Sequence, residues 1–114
     1  MEPKFYDGIA AICAQYSGNG FYVGRGIPAR KLANAAESMN IAEGEQVIAF
    51  VDCTVFGSGK NGLAICTSGL YWHNDWTTPT ATNYLSWEAF RSVGIGFIEK
   101  YKLVLGWENH LNTA

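Results

Sequence analysis

Gly57-Ser58-Gly59-Lys60-Asn61-Gly62 satisfies the pattern GxGxxG, which in dinucleotide-binding turns cradles a pyrophosphate, and it follows an apolar run that reads as a strand. The chemistry fails on context. In such a turn the third glycine enters a helix whose N-terminus holds the phosphates, whereas here Leu63-Ala64-Ile65-Cys66-Thr67 is strand-like and no acidic residue stands about 20 positions further on. A phosphate loop fails too, because Lys60 precedes Asn61 instead of Ser or Thr, and Thr54 stands where its first glycine belongs. The segment reads as a hairpin loop with a solvated Lys60. The histidines, His73 at a strand end and His110 in the polar tail, have no neighbouring nucleophile, and His73-Asn74-Asp75 cannot surround a metal. Glu43 and Glu45 read as charges of a polar turn. Cys13, Cys53 and Cys66 form no CxxC pair, and their apolar neighbours mark them as buried thiols. No catalytic residue, metal site or cofactor follows.

The elements that position these groups are a short helical part and a longer strand part. Pro3 opens a helix over residues 3 to 16, striped by Phe5, Ile9, Ile12, Cys13 and Tyr16, and Ser17-Gly18-Asn19-Gly20 stops it. Phe21-Tyr22-Val23, glycine-flanked, reads as an extended connector. Pro28 opens a second helix whose apolar stripe is Leu32, Ala35, Ala36 and Met39, with Arg30, Lys31, Glu37 and Ser38 opposite and Asn40 as terminator. From residue 46 the period changes to two, predicting antiparallel strands over 46–53, 63–67, 70–73, 82–86, 93–98 and 102–106. Ser86 should cap one helical turn over 87–91, and Gly69 should supply a positive φ in the Thr67-Ser68-Gly69 turn. Tyr71 and Trp72 point to opposite faces of their strand, so one of them is expected outside the core.

Composition bounds the partners. At 114 residues, 48% hydrophobic and 16% charged, the chain reads as a single domain over 1–114, with 1–42 a helical lead-in and 43–114 an antiparallel sheet. A net charge of −2 and no basic cluster disfavour nucleic acid. The first seven residues suit no secretory signal and no apolar run reaches the ~18 residues of a membrane span, so the expected location is the cytoplasm without membrane insertion.

Five segments also carry a resemblance. Ile48-Ala49-Phe50-Val51-Asp52, Thr54 to Gly62, Thr67-Ser68-Gly69-Leu70-Tyr71-Trp72 and Leu85-Ser86-Trp87-Glu88 resemble bacterial pleckstrin-homology-like modules, and residues 27–35 are similar to the helical lead-in of some of them. The resemblance implies an α+β fold of two N-terminal helices followed by a β-meander, curved into a pleckstrin-homology-like sheet or partial barrel. The C-terminal end is shorter than that fold's, so the N-terminal helices or a second subunit should close it, a homodimer being one solution. Phosphoinositide binding is disfavoured because the loop offers only Lys60. The expected function is a non-enzymatic bacterial module that binds a protein or peptide through loops or a sheet edge, with Phe56, Lys60 and Trp76 as the contact face. One alternative is an immunity or antitoxin-like inhibitor of a partner enzyme. Another is a small-ligand protein or enzyme using a cleft between helices and sheet, with Tyr22, Arg25, Arg30 and His73 as its polar groups.

Overall fold

A computed structural model describes residues 3–15, 18, 20–54, 57–74, 78–99, 102–106 and 108–113. The elements run α1 (Pro3–Cys13), β1 (Phe21–Val23), a 3-10 turn (Gly24–Gly26), α2 (Ala29–Ser38), β2 (Val47–Asp52), β3 (Gly62–Cys66), β4 (Gly69–His73), β5 (Tyr84–Ser86), α3 (Trp87–Phe90), β6 (Ile95–Glu99), β7 (Lys102–Leu105) and β8 (His110–Asn112). The strands form two antiparallel sheets, β1-β2-β3-β4-β5 and β6-β7-β8.

The α+β content stands, but the single curved sheet or partial barrel does not form. Three differences account for this. Phe21-Tyr22-Val23 is not a connector: it pairs with Val51, Phe50 and Ala49 and becomes the first edge of the large sheet, so a strand lies between the two N-terminal helices. After β5 the chain turns through α3, which Ser86 caps as expected by accepting a hydrogen bond from the Ala89 N–H at 3.1 Å. That turn separates β6 from β5, and β6 then pairs only with β7 among the described strands. The polar tail contributes β8, anchored by Leu111, which is 1% exposed.

Three layers result. On one face of the large sheet, α2 buries Ala35 and Met39 against Phe50, Ala64, Cys66 and Tyr71, with Tyr22, Leu32 and Tyr84 packed around them. On the other face, Leu105 and Leu111 of the small sheet close over Leu70, Trp72 and Leu85, with Trp87 and Phe90 of α3 beside them. Because both faces are covered, Tyr71 (7% exposed) and Trp72 (0%) are both buried, and the expected exposed aromatic of this strand is not found. Helix α1 packs against β2. Asn40 ends the α2 segment at φ 53°, the left-handed conformation that a helix terminator needs. Gly69 is required for a different reason from the one the turn suggested. Its φ is not positive; a Cβ there would overlap the Leu85 carbonyl oxygen, so glycine permits the close approach of β5.

The two sheets are sutured by side chains as well as by apolar contact. Asn74, just beyond β4, donates to the His110 carbonyl (2.6 Å) and accepts from the Asn112 N–H (2.9 Å), making a bidentate clamp on β8. Thr80 accepts from the Trp72 indole N–H and from the His110 N–H, both at 3.2 Å.

Candidate functional site

Two clusters of hydrogen-bonded polar side chains lie on the α2 side of the large sheet. The first is where α2 meets the glycine loop. Lys31, Asn34 and Ser38 recur at i, i+3 and i+7 and so form one stripe down the helix. Each is bonded across the layer. Lys31 Nζ donates to Asp52 Oδ2 at 2.6 Å, Asn34 Nδ2 to the Ser58 carbonyl at 2.7 Å, and Ser38 Oγ to the Lys60 carbonyl at 2.6 Å. Gly59, at φ +80°, lets the loop lie directly on the helix, because a Cβ there would come within 2.8–2.9 Å of the Lys31 backbone. Helix packing thus gives this glycine of the GxGxxG pattern its physical reason.

Asp52 is the hub. Its side chain is 2% exposed, and it accepts from the Thr54 N–H (2.9 Å) and the Thr54 hydroxyl as well as from Lys31. Burial alone would raise its carboxyl, but these hydrogen bonds and the Lys31 charge outweigh that and hold it below the usual carboxylate range. Lys31 is pushed up in turn, chiefly by its hydrogen bond to Asp52, with burial opposing, and its ammonium sits 5.3 Å from the centre of the Tyr22 ring. A lysine held protonated beside an ionised aspartate is neither a nucleophile nor a base at neutral pH. What the arrangement does is tie helix, strand and loop together.

The second cluster joins the loop ahead of β2 to the β3–β4 turn. Glu45 accepts from the Thr67 hydroxyl (2.6 Å), the Ser68 N–H (2.5 Å) and the Ser68 hydroxyl (2.8 Å), while Tyr84 Oη lies 2.9 Å from Ser68 Oγ. Burial would raise the Glu45 carboxyl; the Thr67 and Ser68 donors outweigh it and lower it. A carboxyl lowered on folding stabilises the fold above its unfolded value and loses that contribution as the pH falls through its folded one. Glu45→Gln is therefore expected to cost about 1–2 kcal/mol at pH 7, given three charge-assisted bonds at a partly exposed site. The gap to the parent protein should close on acidification below about pH 4, as read by urea unfolding across a pH series. A gap that persists at low pH would mean that Glu45 acts through packing alone.

Of the residues singled out for a contact face, Phe56 and Trp76 lie outside the described residues, and Lys60 is exposed on the loop that α2 pins. Of the small-ligand set, Tyr22 lies against Lys31, Arg30 is exposed on α2, and Arg25 lines a surface cavity of about 720 Å³ with residues 41–47. His73 Nδ1 meets Asn61 Oδ1 at 2.7 Å. Tyr22 and His73 stand on β1 and β4 with β2 and β3 between them, a separation of roughly 14 Å at ordinary strand spacing, too far for both to touch one reacting atom. The space between α2 and the sheet is filled by core side chains. Of the thiols, Cys13 and Cys66 are buried and Cys53 is half-buried. Burial, with the Asp52 charge, pushes Cys53 up to about 11, and burial with the Glu45 charge pushes Cys66 up to about 12, so both stay protonated. Among the described residues no group of His, Cys, Asp and Glu could hold a metal.

Lys31 and Ser38, expected only to lie opposite the apolar stripe of α2, are both bonded to the sheet and the glycine loop. The signal that marks them is the polar stripe Lys31, Asn34, Ser38 running beside the apolar one, together with Asp52 closing an otherwise apolar strand. A different surface stands out. Strand β6 is an edge, and Ile95 and Phe97 on it are 43% and 62% exposed. They pair across the ladder with Leu105 and Leu103, so they point to the same face as the leucines that seal the second core. The apolar inner face of the small sheet therefore runs out past its cover.

No family model matches the chain, and no curated protein or solved structure matches it. No helix of the described residues is long and apolar enough to cross a membrane.

Proposed function

We propose that this chain is a non-enzymatic, cytoplasmic protein-binding module that takes an extended segment of its partner along the open edge of β6. The observation that carries the reading is that edge. Natural sheets blunt exposed edges with Lys, Pro, inward charge or a covering element, yet β6 has no proline and its one charge, Glu99, stands at its last residue, leaving 95–98 uncharged. An added strand would complete the hydrogen-bond ladder of β6 and cover Ile95 and Phe97. The polar clusters support the same reading from the other side, since Lys31, Asp52 and Glu45 are all committed to holding segments of the fold together.

The test is capture from native lysate by the tagged protein, with Phe97→Glu as the matched variant. At so exposed a position the variant should keep its stability within about 0.5 kcal/mol. One stoichiometric protein retained by the parent and lost from Phe97→Glu, with an unchanged circular dichroism spectrum, is the expected result. Capture that survives both Phe97→Glu and Ile95→Lys would overturn the β6 assignment and return attention to the Lys60 loop.

A further inference from the structure

A second exposed apolar feature lies between α1 and α3. It is a half-open groove of about 570 Å³ lined by Ile9, Trp87, Phe90 and Arg91. Its size falls in the range of small-molecule sites, about 300–1,000 Å³. The aromatic wall is rigid. Trp87 and Phe90 meet edge to face with ring centres 5.4 Å apart, and the Trp87 indole N–H is spent on the Cys66 carbonyl at 3.0 Å. Both rings rest on the second core. The wall can therefore offer a ligand apolar contact but no indole hydrogen bond. On the opposite side Ile12, 58% exposed and one turn along α1 from Ile9, prolongs the apolar strip.

Among the described residues the polar lining group is Arg91, exposed at the C-terminal end of α3. Among the described residues no carboxylate is paired with the Arg91 guanidinium. Apolar walls with one cation at the rim specify the occupant by charge complementarity: an apolar body ending in one negative group. A planar carboxylate matches the two-pronged donor geometry of a guanidinium, whereas a multiply charged head group would need further cations, and the described lining offers none besides Arg91. We propose that this groove binds a small monocarboxylate with an aliphatic or aromatic tail, independently of the β6 edge.

Octanoate is the probe and 1-octanol its neutral counterpart, each titrated into ¹⁵N-labelled protein while the Trp87 indole resonance is followed, with Trp87→Phe to assign it. The expected result is a saturable shift with octanoate and a weaker one with octanol. Arg91→Gln, a surface change that leaves the fold intact, should weaken octanoate about threefold to fivefold and leave octanol unchanged, the size expected for an exposed charge pair. Phe90→Leu should weaken both. Equal binding of octanoate and octanol, or an Arg91→Gln protein that binds octanoate as the parent does, would overturn the assignment in favour of an unselective apolar surface. Absence of a saturable shift up to the solubility limit would overturn it outright.

Discussion

Replacing Trp72 by alanine is expected to destabilise the fold by about 4 kcal/mol, the largest effect of any single truncation in the chain. Trp72 is 0% exposed and is the largest fully buried side chain. It fills the middle of the layer between the two sheets with Leu70, Leu85, Leu105 and Leu111 around it, and the surrounding strands cannot collapse into the space it would leave. A domain of this size has only about 5–15 kcal/mol in total, so the melting temperature should fall by about 15 °C. Trp72→Phe separates volume from hydrogen bonding. It keeps most of the apolar contact but leaves Thr80 without its indole donor, and about 1–2 kcal/mol is the expected loss. Calorimetry on both variants checks this. If Trp72→Ala lost less than about 1.5 kcal/mol, the packing of the small sheet over the large one would be wrong.

Lys31→Met comes next, at about 3 kcal/mol at pH 7. Methionine keeps most of the aliphatic stem and removes the ammonium, together with its place 5.3 Å from the centre of the Tyr22 ring. The Asp52 carboxylate, 2% exposed, is then left without its counter-charge, and an uncompensated buried charge is costly even with the two Thr54 bonds retained. The sign of the pH dependence follows. In the parent protein Asp52 is lowered, so its contribution is present above its unfolded value, about 3.9, and is lost as the pH falls through the lowered folded value. In Lys31→Met the lowering by Lys31 is lost while the desolvation remains, so Asp52 rises relative to the parent and protonation relieves the variant. The stability gap should therefore shrink below about pH 4. Lys31→Met combined with Asp52→Asn should recover most of the loss at pH 7. Denaturant unfolding at pH 7 and pH 3.5 measures both, and a double variant no better than the single one would refute the buried-charge explanation.

Local periodicity was enough to read much of the chain. The apolar stripe of Leu32, Ala35, Ala36 and Met39 marks α2, the alternation in 62–73 marks β3 and β4, and Ser86 marks the start of α3. Each is a property of a few neighbouring residues. The rejection of a dinucleotide site in the GxGxxG loop rested on equally local grounds, since a strand follows it. What decided the rest is long-range pairing. Phe21-Tyr22-Val23 and His110-Leu111-Asn112 are too short to show a period, and they are strands because β2 and β7 present ladders to them. The split into two sheets depends on the turn through α3 and on which strand β6 meets, neither of which alternation encodes.

The same distinction governs the sites. Sequence shows Lys31, Ser38 and Asp52 as charges and a hydroxyl of no special standing; only the docking of α2 on β2 makes them one network, because their bonds span 21 and 22 residues. Residue types determined that this chain would build an α+β domain with mostly buried thiols. Tertiary structure alone decided that both faces of the large sheet are covered while Ile95 and Phe97 are left outside. Burial is a property of layers meeting in space, and a strand carries no local mark of whether a second layer will reach it.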